Sequence, residues 1–180
     1  HSGANSANLN VNRNDDYTGN WTINLGDGND SLLSAKLKNG DSIDMGAGDD
    51  VVYLMLTGSN GTPSISAANL TKLDGGAGND TLGFEESGSN TSELTLTTAG
   101  ATNFENIIGT AGAETITGDN SANILSGKNG IDTINGNGGN DTLYADYAGS
   151  NSQTSNDSLN GGSGDDTLYG NAGDNTLNGG

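Results

Sequence analysis

Aliphatic residues in this chain recur every ninth position, and most of what lies between them is polar or glycine. From Gly109 the sequence divides into GTAGAETIT, GDNSANILS, GKNGIDTIN and GNGGNDTLY. After seven further residues, Ala145 to Asn151, it resumes as SQTSNDSLN, GGSGDDTLY and GNAGDNTLN. The eighth position of these copies is Ile116, Leu125, Ile134, Leu143, Leu159, Leu168 and Leu177. The same frame recurs upstream in LGDGNDSLL (25–33), MGAGDDVVY (45–53) and GGAGNDTLG (75–83), with Leu32, Val52 and Leu82 in the eighth place. Weaker copies at Trp21-Thr22-Ile23, Asp41-Ser42-Ile43, Thr71-Lys72-Leu73 and Glu105-Asn106-Ile107 keep the apolar position and lose some or all of the glycines. A fixed short period of this kind marks a stacked repeat architecture. The stretches outside the frame are 1–15, 54–65, 84–99 and 145–151.

Each copy predicts one turn and one very short strand. In Gly75 to Gly83, six residues of Gly, Ala, Asn and Asp tolerate positive φ or bond their own backbone, and a Thr-Leu pair suited to a strand follows. A strand of about three residues is unstable alone and must stack on copies of itself. Two nonapeptides bring the chain back to its start one strand spacing further on, giving a flattened solenoid. Alternate copies then share a wall: Leu143 stacks with Leu168, and Ile134 with Leu159. Position 7, largely Ser or Thr, faces out as a hydroxyl ladder and reads as scaffold.

Composition sharpens the picture. Val, Ile and Leu make up only 29 of 180 residues, so the core is thin, and such chains are disordered unless something else holds them. Cysteine is absent and the one His is His1, which excludes disulfides, thiolate sites and imidazole clusters. No apolar stretch is long enough to span a membrane as a helix. The chain opens at His1 without a signal-like segment and closes on Gly179-Gly180 within a repeat, so it is expected to be an excised or processed piece of a longer protein.

Five Lys+Arg against 23 Asp+Glu leave a formal charge of -18, which disfavours nucleic acid and favours cations. Stacking places Asp132 beside Asp157 and Asp141 beside Asp166, with Asp30, Asp50 and Asp80 extending such columns. Carboxylates about 5 Å apart repel by about 1 kcal/mol even in water. A divalent cation between them reverses the sign, and glycine lets carbonyls turn in to complete an oxygen shell. Carbonyls and carboxylates in flexible loops suit Ca²⁺ better than Mg²⁺, and about nine such ions neutralise the chain.

The loops Gly75-Gly76-Ala77-Gly78-Asn79-Asp80 and Gly161-Gly162-Ser163-Gly164-Asp165-Asp166 match the pattern G-G-x-G-x-D-x-U-x. The chain thereby resembles the RTX, or haemolysin-type, calcium-binding repeat proteins over most of residues 16–180. The resemblance implies an all-β, right-handed parallel β-roll with several Ca²⁺ ions between stacked glycine-rich loops. It implies carboxylate ligands from Asp30, Asp41, Asp50, Asp80, Asp132, Asp141, Asp157 and Asp166. It implies carbonyl ligands from Gly26, Gly28, Gly46, Gly48, Gly76, Gly78, Gly162 and Gly164. Glu114, Asn123 and Asn175 replace the Asp, Trp21 and Thr71 abolish it, and Ser152 to Ser155 carries no glycine, so sites there are expected to be weak or empty. The family is secreted, and its members fold on meeting extracellular calcium.

Other readings fit less well. A flexible linker has no reason to keep an aliphatic residue at every ninth place. No glycine loop continues as GK[ST], and the aspartates repel phosphate. The EF-hand glycine, glutamate and helices are missing around Asp27-Gly28-Asn29-Asp30. The Asp49-Asp50 and Asp165-Asp166 pairs belong to the repeat frame and lack basic partners, so no catalytic residue is expected. The third position, Asp27, Ala47, Ala77 and Ser163, lacks the threonine ladder that ice binding requires. Tyr144 and Tyr169 share position 9 on one side, as a stabilising ladder or a sugar platform. The expected organisation is an N-terminal section over 1–83 with an excursion at 54–65, an irregular strand and loop excursion at 84–99, and a C-terminal section over 100–180 with an insertion at 145–151. The expected role is an extracellular, calcium-folded element of a secreted adhesin, matrix or surface-layer protein, with self-association or a cell-surface glycan as candidate partners. The alternative is the non-catalytic export module of a secreted enzyme or toxin.

Overall fold

The structure is a computed structural model that describes residues 8–10, 20–35, 41–56, 73–86, 94–97, 103–146 and 155–180. Thr71 and Lys72, most of the 54–65 excursion, residues 87–93 and 98–99 of the 84–99 excursion, and residues 147–151 of the insertion lie outside the described residues. Every regular element described is a strand: β1 Asn8–Asn10, β2 Thr22–Asn24, β3 Ser31–Ala35, β4 Ser42–Asp44, β5 Val51–Leu56, β6 Leu73–Asp74, β7 Thr81–Glu86 and β8 Leu94–Thr97; then β9 Asn106–Ile108, β10 Glu114–Thr117, β11 Ile124–Lys128, β12 Thr133–Gly138, β13 Thr142–Asp146, β14 Ser158–Ser163, β15 Thr167–Tyr169 and β16 Thr176–Asn178. No helix among the described residues is long and apolar enough to cross a membrane.

Odd-numbered strands form one eight-stranded sheet, in the order β1-β3-β5-β7-β9-β11-β13-β15. Even-numbered strands form the opposite wall as two sheets, β2-β4-β6 and β16-β14-β12-β10-β8. All pairings are parallel, because each strand meets the copy two repeats away after one full coil. The fold is the all-β parallel roll expected from the nine-residue period. Its two walls differ: β7 pairs directly with β9, so one wall runs unbroken past residues 84–99, while β6 and β8 end separate sheets on the other.

Registers follow the repeat frame. Leu143 stands opposite Leu168, and Ile134 opposite Leu159. Within 84–99 the chain supplies β8, whose Leu96 stands opposite Ile116. Strand β8 thus joins the position-8 register of β10. Several strands run longer than three residues, since β5 and β7 stay paired over six positions and β12 and β14 continue into their following loops.

The core is one file of side chains between the walls. Position 8 supplies Leu32, Ile43, Val52, Leu73, Leu82, Ile107, Ile116, Leu125, Ile134, Leu143 and Leu159, all buried. Leu54, Phe84, Phe104 and Met45 add bulk from outside that position. Position 7 faces solvent at Ser42, Thr115, Thr133, Ser158, Thr167 and Thr176. Leu177, on edge strand β16, is 46% exposed although it sits in the core register.

Candidate metal centre

The loops between walls stack as regularly as the strands. Positions 2 and 4 take left-handed backbone: φ is +94° and +122° at Gly26 and Gly28, +105° and +141° at Gly46 and Gly48, +98° and +152° at Gly76 and Gly78, and +106° and +135° at Gly162 and Gly164. Glycine is also required for closeness, because a Cβ at Gly46, Gly76 or Gly164 would collide with a carbonyl of the loop stacked beneath it. In the N-terminal stack neighbouring loops bond directly. Ala47 N–H donates to Gly26 O at 2.9 Å and Ala77 N–H to Gly46 O at 2.8 Å, while Gly28 and Gly48 donate to the carbonyls of Ala47 and Ala77. Each of those accepting carbonyls keeps a second lone pair.

Position 6 forms two columns, one along each edge of the roll. On the first, the backbone N–H of each residue donates to the side-chain oxygen of the next: Asp30 to Asp50 Oδ1 (2.7 Å), Asp50 to Asp80 Oδ1 (2.8 Å) and Asp80 to Glu105 Oε2 (2.8 Å). It continues from Asn123 to Asp141 Oδ1 (2.8 Å) and from Asp141 to Asp166 Oδ1 (2.9 Å). On the second edge Trp21 donates to Asp41 (2.8 Å), Glu114 to Asp132 (2.7 Å), Asp132 to Asp157 (2.8 Å) and Asp157 to Asn175 (2.8 Å). All eight aspartates singled out from the sequence therefore occupy column positions. Glu105, Glu114, Asn123 and Asn175 occupy the same positions, each presenting a side-chain oxygen. The apolar residue two places on, such as Ile107 after Glu105, is the signal that gives their register.

One oxygen of Asp50, Asp80, Asp132, Asp141 and Asp166 is thus used by the backbone, and the other is not. Oδ2 of Asp50, Asp80, Asp132, Asp141 and Asp166 is buried and accepts no hydrogen bond. Position-1 glycines make room for it: a Cβ at Gly127, Gly136 or Gly161 would overlap Oδ2 of the aspartate five residues on, and at Gly75 it would lie 2.9 Å from Asp80 Oδ2. Sequence reasoning assigned ligand roles to glycines 2 and 4 and missed this function of glycine 1.

Burial makes Asp50, Asp80, Asp132, Asp141 and Asp157 hard to ionise. Asp132 is pushed up to about 8, first by loss of solvent and then by the charges of Glu114, Asp157 and Asp146, against the lowering effect of the Glu114 N–H bond. Asp80 rises to about 6 for the same leading reason, with Asp50, Glu105 and Asp49 adding repulsion. Asp50, Asp141 and Asp157 are also raised, again chiefly by burial. A buried bare oxygen calls for a partner, and a cation between loops supplies one while cancelling the repulsion. The donors are all oxygen, which suits a hard cation such as Ca²⁺. Among the described residues no three acidic, His or Cys side chains cluster tightly enough to hold an ion by themselves. An ion there needs further oxygen ligands from the backbone or solvent.

A comparison with protein families matches the RTX calcium-binding nonapeptide repeat in four copies, over residues 72–82, 100–132, 117–146 and 153–180. No curated protein and no solved structure matches the chain. The stacked loops with their bare carboxylate oxygens fit the matched unit, a structural loop and strand of the kind that binds calcium. Residues 72–82, 100–146 and 153–180 are RTX calcium-binding nonapeptide repeats, a structural module typical of secreted proteins.

Proposed function

We propose that this module is secreted and folds when calcium enters the two columns, converting a flexible chain into a rigid element of an adhesin, matrix or surface-layer protein. The file of buried, unpartnered Oδ2 atoms on Asp50, Asp80, Asp132, Asp141 and Asp166 carries the reading. Without a cation these oxygens oppose folding, and with one they become its main support. Asp30, Asp41 and Asp157 complete the proposed carboxylate set. Carbonyls of Gly26, Gly28, Gly46, Gly48, Gly76, Gly78, Gly162 and Gly164 are the proposed remaining ligands.

The unbroken eight-stranded wall and the outward Tyr144–Tyr169 stack, with centroids 4.7 Å apart and rings 5° from parallel, favour a rigid exposed surface. The test is a circular dichroism titration with CaCl₂ after chelator treatment, with MgCl₂ as control and light scattering in parallel. A coil-to-β transition in calcium alone, with a midpoint on the order of 0.1 to 1 mM, is expected. Scattering that rises with it supports the surface or matrix role, and its absence supports an export module. A chain already β-structured in chelator refutes calcium-driven folding.

A further inference from the structure

The outer face of the unbroken wall is uncharged. From β5 to β15 no residue at position 7 or position 9 is acidic or basic, in a chain whose formal charge is -18. Position 9 forms one row across these strands, in which Tyr53, Gly83, Ile108, Ser126, Tyr144 and Tyr169 stand successively in register. Ile124, two places before Ser126 on the same face of β11, is 49% exposed, and Tyr169 is 45% exposed. The opposite wall differs. It bears Asp44 and Asp74 at position 9 of β4 and β6, and only Ser, Thr and Asn at positions 7 and 9 from β10 to β16.

Two aromatic platforms sit in this row. A Cβ at Gly83 would lie 2.6 Å from Tyr53 Cε1 and 2.9 Å from its Cδ1, so the Tyr53 ring leans across β7 and fills the place of the missing side chain. The Tyr144 and Tyr169 rings stack with centroids 4.7 Å apart and planes 5° from parallel. Because β15 lies on one side of β13 and β11 on the other, the face of Tyr144 that Tyr169 leaves free is turned toward β11. Ser126 is small there, and Ile108 stands beyond it. The row therefore holds a slot over Ser126 with one aromatic and one aliphatic side, spanning two strand spacings or about 9–10 Å from β9 to β13. Tyr53 on β5 stands four spacings, or about 19 Å, from Tyr144.

A sugar ring suits these surfaces, since it offers C–H groups on its faces and hydroxyls around its rim. The C–H groups pack on a tyrosine ring while the hydroxyls bond Ser126, the half-exposed Thr142 and the phenol oxygens. This face has no basic group for an acidic polymer and no acidic group for a basic one. A second copy of the chain fits poorly, because six strands two rows wide offer only about 300 Å², against roughly 800 Å² per partner in a stable protein interface. Resting on the proposed role as an exposed surface element, we infer that the position-9 row of the unbroken wall binds a neutral polysaccharide. The polymer lies along the roll, with one sugar over Ser126 between Ile108 and Tyr144 and another on Tyr53.

The test is binding of the full 180-residue chain, in excess CaCl₂, to beads carrying dextran, mannan, cellulose or chitin, with dextran sulfate as the acidic control. Retention by at least one neutral polymer and none by dextran sulfate is expected. On the polymer that retains the wild type, Tyr144→Ala weakens binding about threefold to tenfold. Ser126→Leu, which fills the slot while adding apolar surface, also weakens binding, whereas general apolar adhesion would strengthen it. Thr133→Ala, on the opposite wall, leaves binding unchanged. Circular dichroism in calcium verifies that each variant is folded. Retention by no neutral polymer, equal or stronger retention by dextran sulfate, or wild-type retention of both Tyr144→Ala and Ser126→Leu overturns the inference. If Tyr144→Ala fails to fold, undiminished retention of Ser126→Leu overturns it instead. The broader reading fails separately: a chain that folds and scatters light in calcium yet passes every bead refutes this inference alone, and a β signal already present in chelator refutes calcium-driven folding whatever the beads retain.

Discussion

Gly127→Ala tests whether the position-6 carboxylate really lies on the position-1 glycine. Gly127 is not among the residues with positive φ, so alanine fits its backbone, and in open space it would stabilise by about 0.4–1 kcal/mol. There is no open space. The new Cβ would overlap Asp132 Oδ2 and lie 2.6 Å from its Cγ and 2.8 Å from the Ala145 carbonyl oxygen. If the carboxylate swings away, its bond from Glu114 N–H, 2.7 Å long, is lost. A bond to a charged group contributes about 1.5–3 kcal/mol, and the forced fit adds about 1–3 kcal/mol. The net expectation is a loss of about 2–5 kcal/mol, read from urea denaturation in saturating CaCl₂ by linear extrapolation.

Two other glycines calibrate this result. At Gly26 a Cβ meets nothing within 4 Å, but φ is +94°, so alanine costs only the left-handed penalty of about 1–2 kcal/mol. At Gly179 there is neither a contact within 4 Å nor a positive φ, so alanine is neutral or slightly stabilising. In the background Asp132→Ser, which removes the obstructing carboxylate, most of the Gly127→Ala penalty disappears, a coupling of at least about 1.5 kcal/mol. A Gly127→Ala chain as stable as wild type, or equal penalties with and without the carboxylate, would refute the seating of Asp132.

Other expectations follow from the same geometry. Because burial raises Asp80 to about 6 and Asp132 to about 8, above an ordinary value of 3.8, their contribution to metal-free stability is full below about pH 4 and is lost as pH rises through 6 and 8. In chelator, acidification from about pH 9 to about pH 5 therefore increases the β signal in circular dichroism, and a constant or falling signal contradicts the burial argument. Leu143→Ala, at a fully buried core position, costs about 2–5 kcal/mol in calcium-saturated urea melts, whereas Leu177→Ala, 46% exposed, costs about 1 kcal/mol or less. Asp141→Asn keeps an acceptor for the Asn123 N–H but loses the ionic ligand, so it raises the calcium midpoint of folding while leaving the fully loaded dichroism spectrum unchanged.

Much of this was legible because the ninth-position aliphatic residue forces every copy into one frame. Leu143 opposite Leu168 and Asp132 beside Asp157 follow from that frame, as does the choice of an oxygen-binding cation. Glu105 and Asn123 were harder to place, since their loops lack the full glycine pattern, yet Ile107 and Leu125 two places on carry the register. Residues 84–99 offered Leu94 and Leu96 but no loop signature. Only pairing with β10 places Leu94 and Leu96 in the wall.

The amino-acid sequence by itself determined the repeat, the parallel stacking and the two acidic columns, because nine-residue periodicity leaves a chain with so thin a core no other way to bury its aliphatic residues. The tertiary structure alone decided that one wall is continuous while the other is split, and that glycine 1 seats a carboxylate. The continuous wall depends on pairing between distant residues, such as Thr81 with Asn106, and the seating of the carboxylate on the way a loop folds Asp132 back onto Gly127; a local pattern of residue types records neither.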